Sequence, residues 1–177
     1  MDQIYTHPKR KTKVVFVQLG SPSEPTTKAL RKYLRKFLGD PRVVDINPWL
    51  WKIILNFFVL PFRPKKSAKL YARIWDGKSF PLITNTRDFT NNVREELKKI
   101  DPNGYVEVNH AFLLSPPYVN EVYDSWEDDL KKGIGATKLL VIPMFPQYSE
   151  STIASGIDAL AKELSKRVKI PTFEVIT

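Results

Sequence analysis

The densest run of chemistry-bearing side chains is Pro146-Gln147-Tyr148-Ser149-Glu150-Ser151-Thr152, which gathers an amide, a phenol and three hydroxyls. Such groups orient a polar ligand by hydrogen bonding, and a serine just ahead of a helix can also cap it by accepting a backbone N–H. Ser149 or Ser151 suits that cap, but capping does not account for Gln147 or Tyr148. A second run, residues 48–62, crowds Trp49, Trp51, Phe57, Phe58 and Phe62 among aliphatics, and Arg63, Lys65 and Lys66 follow at once. Two readings stay open for it. Dense aromatics commonly pack as core. An exposed apolar lip beside cations suits an anionic membrane surface. It also suits a flat apolar ligand with acid groups, with Arg63 gripping a carboxylate bidentately.

Other chemistry is sparse. The absence of cysteine excludes disulfides, thiolate-held zinc or iron–sulfur clusters and a cysteine nucleophile. Of the two histidines, His7 lies in a polar N-terminal stretch, and His110 lies in a strand pattern, where it reads as a satisfied core residue. An all-protein transition-metal cage is therefore not expected. Gly20 follows an apolar run but belongs to neither a G-x-G-x-x-G pattern nor a phosphate-loop lysine pattern. It marks either a tight strand exit or a ligand loop. Glu121, Asp124, Glu127, Asp128 and Asp129 read as a solvated helix face, closed by Lys131 and Lys132 as the helix dipole favours. No Ser/His/Asp constellation or carboxylate pair is apparent, so no catalytic or metal-ligating residue is assigned.

These groups need elements to position them. Residues 13–19 form a β-branched run closed by Gly20, the pattern of a buried parallel strand. A helix is expected over 28–38, capped by Thr27, and another over 68–75, capped by Ser67. Further helices are expected over 85–100, 118–132 and 151–168, and further strands over 105–114, 137–144 and 169–177. Strands alternating with helices imply a four-stranded parallel sheet between helices, an α/β, Rossmann-like three-layer fold. Ligands bind beyond the carboxyl ends of such strands. That places loops 20–26, 114–118 and 145–152 at the candidate site.

Length and charge bound the rest. The 177 residues suit one domain over 13–177, preceded by a flexible basic arm over 1–12. There are 28 Lys plus Arg against 19 Asp plus Glu, a net charge of +9. The basic residues are scattered without a nucleic-acid motif, so no nucleic-acid partner is expected. The N-terminus lacks the apolar core of a secretory signal, and residues 48–62 are too short to span a bilayer. The expected location is cytoplasmic, with membrane association through the lip.

Four stretches resemble the N-terminal half of the ferrochelatase family, whose members insert ferrous iron into protoporphyrin IX. They are Val15-Phe16-Val17-Gln18-Leu19-Gly20-Ser21-Pro22 and Phe37-Leu38-Gly39-Asp40-Pro41-Arg42-Val43-Val44. The others are Leu60-Pro61-Phe62-Arg63-Pro64-Lys65-Lys66-Ser67-Ala68, followed by Tyr71 and Ile74-Trp75, and Met144-Phe145-Pro146-Gln147-Tyr148-Ser149 with Ser151-Thr152. The resemblance implies two Rossmann-like lobes with porphyrin in the cleft between them. It implies that Arg63 and Tyr71 hold porphyrin propionates, that residues 48–62, with Trp49, form the cleft's lip, and that Leu19 faces the macrocycle. Ser21, Pro22, Gln147 and Tyr148, on the matching loops, join the candidate haem- or porphyrin-binding set, as do Ser79, Leu113 and Leu114 at the corresponding positions.

Departures accompany the likeness. In Gly77-Lys78-Ser79-Phe80-Pro81-Leu82, Phe80 takes the position of the family's serine, and Ser79 is displaced by one. Leu113 and Leu114 stand where many members carry a basic residue and then an aromatic or histidine. Glu150 stands where some members carry a cluster-ligand cysteine, so no iron–sulfur cluster is expected. The family's catalytic histidine and glutamate belong to the C-terminal half. The expectation is a half-protein without chelatase activity that binds haem or porphyrin, as a homodimer whose self-association covers the partner-facing surface. The alternatives are a fragment or one chain of an active ferrochelatase, and a non-enzymatic interaction module.

Overall fold

The computed structural model describes residues 11–133 and 135–176. Four strands form one all-parallel sheet in the order β2-β1-β3-β4. They are β1 (Thr12–Gln18), β2 (Val106–Phe112), β3 (Lys138–Pro143) and β4 (Thr172–Val175). β1 lies in the middle and pairs with both β2 and β3, which explains its unbroken apolar run: both faces are covered. The helices are α1 (Thr27–Leu38), α2 (Pro48–Ile54), α3 (Arg63–Tyr71), α4 (Pro81–Ile100), α5 (Val119–Lys131) and α6 (Ser155–Leu164).

Side-chain alternation along the strands divides the core. Val15 and Val17 of β1, Ala111 of β2 and Val141 of β3 point to one face, against Tyr123 and Trp126 of α5 and Leu160 and Leu164 of α6. Val14, Phe16 and Val108 point to the other, against Val93 and Leu97 of α4. A third cluster, with Tyr33, Leu34, Leu38, Leu55 and Leu60, joins α1 to the segment that follows it. The three-layer α/β expectation holds.

Several boundaries differ from the sequence reading. Thr26, not Thr27, caps α1, its side chain accepting from the Ala29 N–H at 3.2 Å. α3 begins at Arg63 rather than after Ser67, because Pro64, with its φ preset for a first turn, opens it. Pro81 opens α4 in the same way, four residues before the expected start. β4 keeps only Thr172–Val175 of the expected 169–177. Of the basic arm expected over 1–12, residues 1–10 (His7 included) lie outside the described residues, and Thr12 already belongs to β1.

Residues 48–62 divide between core and exposed surface. α2 runs into a π-helical turn, Leu55–Val59, closed by the Leu60 N–H on the Leu55 carbonyl at 2.8 Å. The wider turn brings Leu55 and Leu60 to the same buried side. Trp49, Leu50, Ile53, Phe57, Phe58 and Phe62 are left exposed, Trp49 by 80%. An exposed apolar lip is what the segment forms.

Candidate functional site

The parallel strands deliver their following loops to one edge, and hydrogen bonds tie those loops together. Gln18 ends β1, and its side-chain amide donates to the Met144 carbonyl at 2.7 Å while its oxygen accepts from the Leu19 N–H at 2.9 Å. The Leu114 N–H donates to the Leu19 carbonyl, and the Ser21 N–H donates to Ser115 Oγ at 3.2 Å. Gly20 has φ +93°, and a β-carbon there would lie 2.4 Å from Ser115 Oγ. The glycine thus allows both a left-handed exit and close contact between the first two loops.

A cavity of about 340 Å³ opens beside these loops. Ser21, Pro22, Ser79 and Leu114, four of the expected ligand residues, line it together. Tyr33, Trp75, Phe80 and Ile83 supply apolar and aromatic wall, and Lys32, Lys36 and Lys78 supply positive charge. Asp76 shapes the Lys78 turn. Its carboxylate accepts from the Ser79 N–H at 2.6 Å and the Lys78 N–H at 2.7 Å, and these bonds hold its pKa below the usual value. Lys36 Nζ donates to Tyr118 Oη at 2.9 Å, which fixes it on the cavity wall.

Tyr71 sits behind that wall rather than on it. Its half-buried ring meets Tyr33 edge-on at 6.2 Å and Phe80 at 5.4 Å, and Phe80 in turn meets Trp75 at 4.7 Å. Tyr33 donates to the Gly20 carbonyl at 3.3 Å. Burial first, and Tyr71 next, push the Tyr33 phenol well above its ordinary pKa, so Tyr33 adds no negative charge at neutral pH. Phe80, 2% exposed, is thereby an anchor of the aromatic wall.

The remaining expected residues lie elsewhere. Arg63 is exposed at the start of α3, beside the lip that carries Trp49. Leu19 is half-buried at the strand exit. Leu113 and Leu114 diverge: Leu113 packs into the α5/α6 side of the core, and Leu114 turns to the α1 side and the cavity. Gln147 and Tyr148 are exposed beyond β3. Neither Ser149 nor Ser151 caps a helix through its side chain. The two hydroxyls bond each other at 3.0 Å, while the Ser149 carbonyl receives the N–H groups of the π-helical turn Glu150–Ala154. Near this loop, Arg42 forms a two-pronged pair with Asp158 of α6.

Sequence reading missed Lys32, Lys36 and Lys78. The one available signal was that Lys32 and Lys36 lie four residues apart on a helix next to a site loop. His110 is half-buried, and its Nδ1 is buried with no hydrogen-bond partner among the described residues, so it is not the satisfied core residue expected. Among the described residues, no three His, Asp or Glu side chains are grouped as metal ligands, and no helix is long and apolar enough to cross a membrane.

Comparison with known proteins is consistent in one direction. The family model for ferrochelatase matches residues 11–177. The ferrochelatase of Idiomarina loihiensis is 42% identical over 164 residues, covering 93% of this chain and 43% of that protein. Ferrochelatase 1 of Shewanella oneidensis is 40% identical over 166 residues, covering 94% of this chain and 48% of that protein. The coproporphyrin III ferrochelatase of Streptococcus mutans is 38% identical over 168 residues, covering 95% of this chain and 50% of that protein. The chain spans about half the length of the curated relatives it matches.

Proposed function

Because this chain belongs to the ferrochelatase family, we propose that it forms one wall of a tetrapyrrole cleft and binds haem or porphyrin. The observation that carries this reading is the cavity at the carboxyl edge of the sheet. Its apolar wall suits the rim of a flat macrocycle, and its lysines suit acid side arms. The exposed lip over 48–62 extends apolar surface beyond the cavity, and Arg63, Lys65 and Lys66 add charge beside it. The lip suits a second role at an anionic membrane surface.

Metal insertion requires a base for the pyrrole protons and ligands that deliver iron. In our reading those groups belong to a second lobe, and this lobe alone is a binding wall without chelatase activity. The relatives' doubled length favours that division of labour. Titration with haem or protoporphyrin IX tests the binding role: a saturable absorbance shift is expected, and none up to about 100 μM overturns it. Iron or zinc insertion by this chain alone overturns the division of labour.

A further inference from the structure

The two edges of the sheet are finished differently. In β2 the backbone groups of Val106, Val108, His110 and Phe112 face away from β1. Three of these groups are sealed. The Val106 N–H donates to Asp101 Oδ2, the Val108 carbonyl accepts from Arg94 Nε, and the Phe112 N–H donates to the Pro117 carbonyl, each at 2.7 Å. β4 forms the opposite edge. The Thr172 and Ile176 N–H groups donate to the Thr137 and Val141 carbonyls, so the alternation of the ladder turns the backbone groups of Phe173 and Val175 outward. Among the described residues nothing bonds those N–H and carbonyl groups. Ile170, Phe173 and Ile176 are half-exposed beside them. An apolar edge with open backbone groups is a template for another strand.

We propose that β4 pairs antiparallel with β4 of a second copy of this chain, joining the two sheets across a two-fold axis. The strand's own sequence favours a copy over an unrelated strand. Turned about Glu174, the run Thr172-Phe173-Glu174-Val175-Ile176 sets Phe173 against Val175 of the second copy and Thr172 against Ile176 of the second copy. Every pair but the central one joins β-branched or aromatic residues, the types that stabilise neighbouring strands. In this register Phe173 and Val175, both facing outward, exchange N–H and carbonyl bonds in each direction. The centre opposes pairing, because Glu174 faces itself and like charges directly opposite destabilise a strand pair. Lys138 Nζ donates to Glu174 Oε2 at 2.7 Å and supplies the neutralising charge. Few residues meet, so the association is weak and set by concentration. No residue of β4 lines the cavity described above, so the dimer is independent of the tetrapyrrole reading.

Sedimentation equilibrium of the whole chain between about 10 and 500 μM tests the pairing. The average mass is expected to climb from 20.5 kDa toward twice that value. A mass that stays at one chain up to ~500 μM overturns the proposal. Val175→Pro removes an N–H that β3 does not use, and Phe173→Lys puts a charge on the edge. Each is expected to weaken association by ~10-fold or more. Glu174→Thr removes the central repulsion and is expected to tighten association by ~3-fold or more; unchanged or weaker association overturns the register about Glu174. Trp49→Ser with Phe57→Ser, in the lip, should leave the mass unchanged. Association that survives both edge changes, or that the lip changes abolish, overturns β4 as the contact. Amide hydrogen exchange reads the edge directly: the Phe173 and Val175 N–H groups should exchange fast in dilute solution and slow as the dimer forms, and fast exchange throughout overturns the pairing. Circular dichroism separates misfolding from lost association. If Val175→Pro misfolds, Phe173→Lys and the exchange measurement still decide.

Discussion

Gly20 and Ser115 meet so closely that a β-carbon on Gly20 would lie 2.4 Å from Ser115 Oγ. This contact locks the loop after β1 onto the loop after β2, where Ser21 also donates to Ser115. Gly20→Ala must therefore overcome both a left-handed backbone and a steric clash, and should cost about 2–4 kcal/mol of unfolding free energy. Gly77 shares φ +93° but has open space around its missing β-carbon. Gly77→Ala should cost only about 1–2 kcal/mol. Urea unfolding of the two variants checks the difference; equal losses would mean that the loop contact contributes nothing.

Among the described residues Lys13 is the most deeply buried charge, 1% exposed at the start of β1. Glu107, its register partner on β2, lies 3.3 Å away, and Asp129 of α5 lies 3.6 Å away. Both acids keep contact with water, so losing the lysine strands neither of them. Lys13→Met should stay within about 1 kcal/mol of the unaltered protein. Changing both acids, Glu107→Gln with Asp129→Asn, leaves a buried ammonium without a counter-charge and should cost about 3–5 kcal/mol. Thermal and urea unfolding read the asymmetry directly.

The strands and the parallel order were legible because each central strand is a short apolar run closed by turn residues, as in 13–19 before Gly20. The lip was ambiguous because residues 48–62 are apolar on all sides. Periodicity could not say which side would be buried, and the π-helical turn that pairs Leu55 with Leu60 has no sequence mark. The cavity was half legible. Ser21 and Pro22 follow a strand and announce themselves, but Lys78 reaches the same space only through tertiary packing of a turn more than fifty residues later. The side-chain caps assigned to Ser67 and Ser149 or Ser151 misled for one physical reason: proline in the first turn of α3 and a main-chain carbonyl at Ser149 satisfy those helix starts instead.

His110 should give stability a pH dependence. Burial first, then Arg94 and Arg87, hold its pKa below the ordinary 6.5. The folded protein therefore takes up the proton less readily than the unfolded chain. Stability from the neutral imidazole is fully present above pH 6.5 and is lost as pH falls from there through the folded pKa. His110→Gln should flatten this part of the pH–stability curve. Asp76 and Asp158, whose pKa values lie below 3.8, act only at more acid pH and leave the two windows separable. Urea midpoints measured between pH 7.5 and 5 test it; an unchanged slope in the variant would assign the dependence elsewhere.

Trp49 and Trp51, two residues apart on α2, have opposite fates, and this separates anchoring from contact in the lip. Trp51 donates its indole N–H to the Leu38 carbonyl at 2.6 Å and packs against the Leu34–Leu55 cluster, fastening the lip to the end of α1. Trp49 is 80% exposed and adds nothing to the core. Trp51→Ala should cost about 2–4 kcal/mol through lost packing and an abandoned hydrogen bond. Trp49→Ser should leave stability within about 0.5 kcal/mol. If the lip meets a ligand or an anionic bilayer, the order reverses in binding. Trp49→Ser combined with Phe57→Ser should then lower the chain's partition onto phosphatidylglycerol vesicles, or its affinity for protoporphyrin, by ~10-fold or more, since each aromatic removes about 1.5–3 kcal/mol of apolar transfer. Vesicle sedimentation and porphyrin titration of the same variant distinguish the two surfaces, and no change in either would leave the exposed aromatics without a role at the cleft or the membrane.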